Sequence, residues 1–103
     1  GSGGSNRIRS AILQALLNLL AYRRPLDEVV NAARLHVEGR KLWFESPGLA
    51  AGVADALHSA WPEATRFDAK SMFFGGVNCV ADSEGRLCGA GDRRRGGVVV
   101  VAE

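Results

Sequence analysis

Cysteine is scarce: Cys79 and Cys88 are the two in 103 residues, too few for a disulfide framework and without the partners of a zinc site. Neither stands in a CxxC pair or beside a histidine, so no catalytic thiol is expected. No apolar run reaches membrane-spanning length, and no signal peptide or lipidation motif is visible. The net charge of +2 is too small to demand a nucleic-acid partner. Internal repeats and a Gly-x-Ser-x-Gly elbow are also missing, and the one threonine is Thr65. What is there is ordinary globular composition, 47% hydrophobic and 23% charged, which argues against disorder. A single domain of this length buries roughly two-thirds of its unfolded surface, enough for a core without staples.

The chain begins Gly1-Ser2-Gly3-Gly4-Ser5-Asn6-Arg7-Ile8 and runs straight into an apolar segment. Glycine permits positive φ and close approach to the main chain. A glycine turn feeding a helix start leaves backbone N–H groups pointing outward, at the positive end of the helix dipole. That combination suits a carboxylate, a phosphate or a developing oxyanion. The first five of these residues, Gly1-Ser2-Gly3-Gly4-Ser5, also read as a flexible appended linker.

From Ile8 to about Ala21 the spacing predicts a helix apolar on most of its circumference, interrupted by Gln14 and Asn18. Such a helix is expected to be buried between layers. It ends near Tyr22-Arg23-Arg24, ahead of Pro25, which opens a second helix from Leu26 to about Arg34. Leu35–Gly39 and Lys41–Glu45 then read as a strand hairpin turning at Gly39-Arg40. Ser46 and Pro47 predict a helix cap and first turn, with Leu49, Val53, Ala56, Leu57 and Ala60 as its buried stripe up to Trp61-Pro62. Glu63 to Asp68 is a candidate edge strand.

The last third reads as β. Met72 to Ala81 and Arg86 to Ala90 flank Asp82-Ser83-Glu84-Gly85, a four-residue turn that sets Cys79 opposite Cys88. That pairing is open to a disulfide or to two reduced thiols packed as small hydrophobes. Four valines, Val98 to Val101, followed by Ala102 predict a strand covered on both faces. A two-sided strand beside apolar helices implies a layered α+β architecture of helices and antiparallel sheet. It also implies more covering than one small domain supplies: either a homodimer or part of a larger layered protein.

Residue chemistry alone completes no catalytic apparatus. His36 and His58 have no motif spacing to each other or to a carboxylate and read as structural histidines, with no metal site expected. Arg93-Arg94-Arg95, without interleaved aromatics, read as solvated or salt-bridged, Asp92 pairing with them locally. Gly75-Gly76 marks a bulge or close packing.

Several stretches together resemble the C-terminal part of the small subunit of γ-glutamyltransferase. That family's Gly-Ser-Pro-Gly-Gly-Ser-Arg-Ile, leading into an Ala-Val-Leu-Gln helix, is similar to Gly1–Ile8 followed by Ala11-Ile12-Leu13-Gln14. Its Ala-Pro-Arg-Ile-His-His resembles Ala32-Ala33-Arg34-Leu35-His36-Val37, and its Val-Glu-Pro-Gly resembles Phe44-Glu45-Ser46-Pro47-Gly48 with one residue extra. Its closing Gly-Ala-Ala-Asp-Pro-Arg-Arg-Gly-Gly resembles Gly89-Ala90-Gly91-Asp92-Arg93-Arg94-Arg95-Gly96-Gly97. The order holds over nearly the whole chain.

The resemblance implies a portion of the αββα N-terminal-nucleophile hydrolase fold, acting on γ-glutamyl small molecules of the glutathione type by transfer or hydrolysis. It implies no cofactor, no membrane or nucleic-acid partner, and a periplasmic or secreted location, since family members are commonly exported. In that family a threonine freed by self-cleavage attacks the γ-glutamyl amide, and two adjacent glycine amides hold the oxyanion. Those glycines fall on Gly4 and Ser5 in ungapped register, or on Gly3 and Gly4 if Asn6 is an insertion; the family's proline is missing. The nucleophilic threonine lies upstream of this region in the family, so no catalytic residue is expected here and the chain alone is expected to be inactive. Its expected partners are the large subunit and the N-terminal part of the small subunit. The alternative is a free-standing, non-catalytic interaction module of the same sub-fold.

Overall fold

The computed structural model describes residues 2–3 and 5–100. A short strand, β1 (Ser2–Gly3), and a 3-10 turn at Ser5–Arg7 lead into helix α1 (Ile8–Leu16). Ala11 and Ala15, four apart, are the two buried residues of α1, and their small side chains bring its axis close to its neighbours. The helix continues as a π-helical turn, Leu17–Ala21, and stops where Arg23 takes a left-handed φ of 50° ahead of Pro25. The end is where the cations and the proline placed it.

The packing is not as expected. Ile12, Leu13, Leu16, Leu17 and Leu20 are exposed, because within this chain only the alanine side of α1 meets other elements. Its polar interruption has a structural use. The Gln14 side-chain amide donates to the Leu35 carbonyl (2.7 Å) and accepts from the Leu35 amide (2.9 Å), closing one strand edge as a backbone neighbour would.

Helix α2 (Leu26–Asn31) is shorter than the spacing suggested, since Ala32 is already extended. The next two strands, β2 (Leu35–Glu38) and β3 (Lys41–Glu45), form the expected hairpin, with His36 opposite Trp43. Ser46 does not cap a helix: its hydroxyl donates to the Phe67 carbonyl and to Asp68 Oδ1. Helix α3 (Val53–Ala60) therefore starts later, after Gly52 at φ 83°. Its inner side carries Ala54, Leu57 and His58 rather than Val53, Ala56 and Ala60. Strand β4 (Thr65–Phe67) is the edge strand, parallel to the central β3.

In place of one long strand from Met72 there is a 3-10 turn (Met72–Phe74) and then two strands, β5 (Gly76–Val77) and β6 (Cys79–Ser83). β1 lies antiparallel to β5, and β6 to β7 (Arg86–Ala90). The β6–β7 turn is two residues, not four. Glu84 and Gly85 both have positive φ, as a type I′ hairpin turn requires. Cys79 therefore faces Ala90 and Cys88 faces Ala81, and both thiols are free. The cysteine pairing read from the longer turn does not form.

A final 3-10 turn, Arg93–Arg95, follows β7. Val98, Val99 and Val100 form no strand and are exposed, so the expected two-sided burial of that segment is not met within this chain; Val101 and Ala102 lie outside the described residues. One core cluster joins Ala11, Ala15, Val29, Val30, Val77 and Ala90. Phe67, Phe73 and Phe74 pack ring on ring at 5.0–5.3 Å, Phe67 stacked on Phe73 and Phe74 edge-on to both.

Candidate functional site

The glycine turn is built into the fold from both ends. On its upstream side Ser2 pairs with Val77 and Gly3 with Gly76. On its downstream side Arg7 Nε donates to the Phe73 carbonyl at 2.9 Å, its guanidinium lying 4.5 Å over the Phe73 ring. One short stretch, Phe73–Val77, thus holds both flanks. Of the candidate oxyanion positions, Gly3 ends β1 and Ser5 opens the 3-10 turn; Gly4 lies outside the described residues. Gly76 leaves room for the Arg95 side chain, which a Cβ there would meet at 2.8 Å.

Behind that stretch lies a buried cluster of two cations and two anions. Asp92 and Glu45 are almost fully buried, as are Arg34 and Arg94. Asp92 accepts from the Val77 amide at 2.9 Å, the Arg94 amide at 3.0 Å, Arg94 Nη1 at 3.1 Å and Arg34 Nη1 at 2.6 Å. Glu45 accepts from the Arg34 amide (2.9 Å), the Ser71 amide (2.8 Å) and Arg94 Nε (2.8 Å), and pairs with Arg94 Nη2. Arg34 also donates to the carbonyls of Val30 and Phe74. The formal charges cancel, and the hydrogen bonds compensate a desolvation that would otherwise be prohibitive.

The electrostatics follow from those contacts. Burial disfavours the Asp92 carboxylate, yet the Val77 and Arg94 amides and both guanidinia outweigh it and hold its pKa below the ordinary value of 3.8. Burial likewise opposes Arg94, but Glu45 and Asp92 prevail and raise its pKa. For Arg34 burial and the neighbouring Arg94 charge win, so its pKa is lowered, though a guanidinium stays charged at any accessible pH. Lys70, lowered by burial and by Arg94, donates to the Asn31 carbonyl. Asn31 Oδ1 in turn accepts from the Arg93 amide at 2.9 Å.

This cluster fixes backbone. Asp92 grips the Val77 amide and Arg34 the Phe74 carbonyl, so the strand that pairs with Ser2–Gly3 cannot shift without uncovering buried charge. Asp92 pairs locally with Arg94, as expected from its place ahead of the arginines, whereas the part of Glu45 was not expected. Leu42 and Phe44 alternate inward, which predicts Glu45 outward. It is buried because β3 is central and covered on both sides, and a carboxylate closing an apolar strand was the available signal.

The other candidates stay apart. Thr65 sits on the edge strand opposite Trp43. His58 packs edge-on against Phe44 at 5.4 Å, the structural role expected. His36 is buried, with Nδ1 2.7 Å from Ser10 Oγ. Among the described residues no group of three His, Cys, Asp or Glu converges as a metal site, and no helix is long and apolar enough to cross a membrane.

The family profile described as gamma-glutamyltranspeptidase matches residues 1–102. The acylase ACY 1 proenzyme of Pseudomonas sp. (strain SE83) is 35% identical over 101 residues, covering 97% of this chain and 17% of that protein. A solved gamma-glutamyltranspeptidase from Pseudomonas nitroreducens, complexed with L-DON, superposes with a TM-score of 0.80 at 28% identity, over 100% of this chain and 54% of that one. The Bacillus anthracis transpeptidase CapD gives 0.79 at 27% identity, over 99% and 61%. The chain thus spans about half of the solved relatives and a smaller share of the curated ones.

Proposed function

The chain belongs to the gamma-glutamyltranspeptidase family, and from that premise we propose that it supplies the oxyanion turn and core layers of a γ-glutamyl transferase or hydrolase. In this reading the amides at Gly3–Gly4 or Gly4–Ser5 receive the negative charge that develops on the γ-glutamyl carbonyl oxygen when a nucleophile attacks. The nucleophilic threonine and the groups that hold the substrate's amino and carboxylate ends belong to other parts of the enzyme. The observation that carries the proposal is the double anchoring of the turn, through the β1–β5 pairing and Arg7 on Phe73. A linker has no reason to be locked into a sheet whose partner strand is itself held by buried charge.

By itself the chain is then inactive, because removing such a nucleophile leaves little beyond oxyanion stabilisation. The test is a chimera in which residues 1–102 replace the matching segment of the Pseudomonas nitroreducens enzyme. The chimera is expected to release anilide from a γ-glutamyl anilide, and the purified 103-residue chain is expected to release none. Release by the isolated chain, or a folded chimera with no activity, overturns the proposal.

A further inference from the structure

A cleft of about 260 Å³ lies where α2 meets the Arg93–Arg95 turn. Lys70, half-buried, is one of its walls, and the small side chains of Ala32 and Ala33 leave room beside it. The chain has one other lysine, the exposed Lys41 of β3. Lys70 Nζ donates to the Asn31 carbonyl. That contact uses a single N–H, which a neutral amine retains together with its lone pair. Burial first, and then the Arg94 charge, hold the Lys70 pKa below the ordinary 10.5; Arg34 adds to the effect, and Glu45 and Asp92 oppose it. A lysine desolvated next to another cation is the form of this side chain that serves as a nucleophile.

The rim of the cleft carries Arg24 and Arg93 against Asp27 and Glu28, all four exposed. Asp27 is answered on both oxygens, by Arg93 Nη2 at 3.6 Å and by Asn31 Nδ2 at 3.2 Å. The rim charges cancel, so the ammonium form of Lys70 is the one unbalanced charge of the cleft, and it stands near Arg94. A reaction that removes that charge leaves the cleft neutral. We propose that Lys70 is an acylation site, taking a small acyl group from an activated ester or thioester seated against Ala32 and Ala33. The Nζ lone pair attacks the acyl carbonyl carbon and forms the C–N bond. The bond to the alkoxide or thiolate breaks and takes its electron pair with it, and Nζ gives up a proton to water. The N–H of the product amide still donates to the Asn31 carbonyl. A balanced rim favours a donor without net charge, and the small floor favours a small acyl group. This site rests on the folded chain and not on the γ-glutamyl reading.

The experiment treats the 103-residue chain with p-nitrophenyl acetate and reads acetylation of Lys70 and Lys41 separately from peptide mass spectra. At about neutral pH, Lys70 is expected to be acetylated at least about five-fold faster than Lys41. Its rate should climb with pH as the amine loses its proton and reach half of its plateau below pH 10.5. The bulky trimethylacetyl ester should lose at least about five-fold more at Lys70 than at Lys41, because only Lys70 receives its acyl group inside a cleft. In guanidinium chloride the two lysines should react alike, since the advantage of Lys70 belongs to the folded chain. Lys41 reacting as fast as Lys70 in the folded chain overturns the proposal. So does a half-plateau at or above pH 10.5, an equal loss with the bulky ester at both lysines, or an advantage of Lys70 that survives unfolding.

Discussion

Asp92 ties together four groups, because one carboxylate answers two backbone amides and two guanidinia. Asp92→Asn keeps the shape and removes the charge, leaving two buried guanidinia, Arg34 and Arg94, to share the Glu45 carboxylate. A loss of about 3–5 kcal/mol is expected at pH 7 in urea unfolding. Since its folded pKa lies below 3.8, the unfolded chain takes up the proton first as pH falls. The stabilisation is therefore complete above the unfolded pKa and is lost as pH drops through the folded value. The gap between parent and variant should narrow below pH 3.8; a gap constant down to about pH 2 contradicts this account. Two glycines offer a second test. A Cβ on Gly91 would meet Gly97 backbone at 2.3 Å, whereas one on Gly76 meets the flexible Arg95 side chain at 2.8 Å. Gly91→Ala should therefore lower Tm more than Gly76→Ala, the former costing about 1–3 kcal/mol or more.

At the scale of elements, the β6–β7 hairpin shows how a turn decides register. Both the four-residue and the two-residue loop keep the same faces inward, since the two registers differ by two residues. Hydrophobic alternation could not separate them. What separates them is that Glu84 and Gly85 both adopt positive φ, a conformation glycine takes readily and glutamate does not. Glu84→Asn supplies a side chain that tolerates the left-handed region and should stabilise by about 0.5–1 kcal/mol, read from Tm. In this register each cysteine faces an alanine, so both thiols should remain alkylatable after air exposure, the exposed Cys88 faster than Cys79. A Cys79–Cys88 disulfide in the intact mass would return the hairpin to the longer turn. The β2–β3 hairpin and the end of the first helix were legible because local chemistry suffices for them: strand alternation, a glycine turn, cations ahead of proline. The start of α3 was not, since Ser46 is drawn away by Phe67 and Asp68, some twenty residues distant.

The whole molecule is longer than its chain length warrants. Its radius of gyration is 14.4 Å with extents of 50 × 25 × 21 Å, against about 13 Å for a compact domain of this size. Leu13, Leu17 and Leu20 on the first helix, and Val98 and Val100 at the other end of the sequence, are open to solvent. Exposed apolar area of this kind favours association. The isolated chain should show concentration-dependent self-association in sedimentation velocity, and Leu17→Lys with Leu20→Lys should reduce it without lowering Tm, because neither residue packs in the core. An unchanged sedimentation profile counts against that face as the sticky one. The αββα hydrolase fold to which this portion belongs explains the surplus: its helices and sheets stack in layers, and a layer without its neighbour shows its apolar side.

By itself the sequence determined the first two helices, the β2–β3 hairpin and the family, because these rest on periodicity, turn residues and motifs that lie within a few positions of one another. It also placed the glycine turn ahead of its helix. Only the tertiary structure decided what holds that turn. The link runs from Gly3 to Gly76, from Val77 to Asp92, and from Asp92 to Arg34, and each step joins residues far apart in the chain. A buried charge cluster leaves no periodic signature, because each member is chosen by partners that folding alone brings within hydrogen-bond reach.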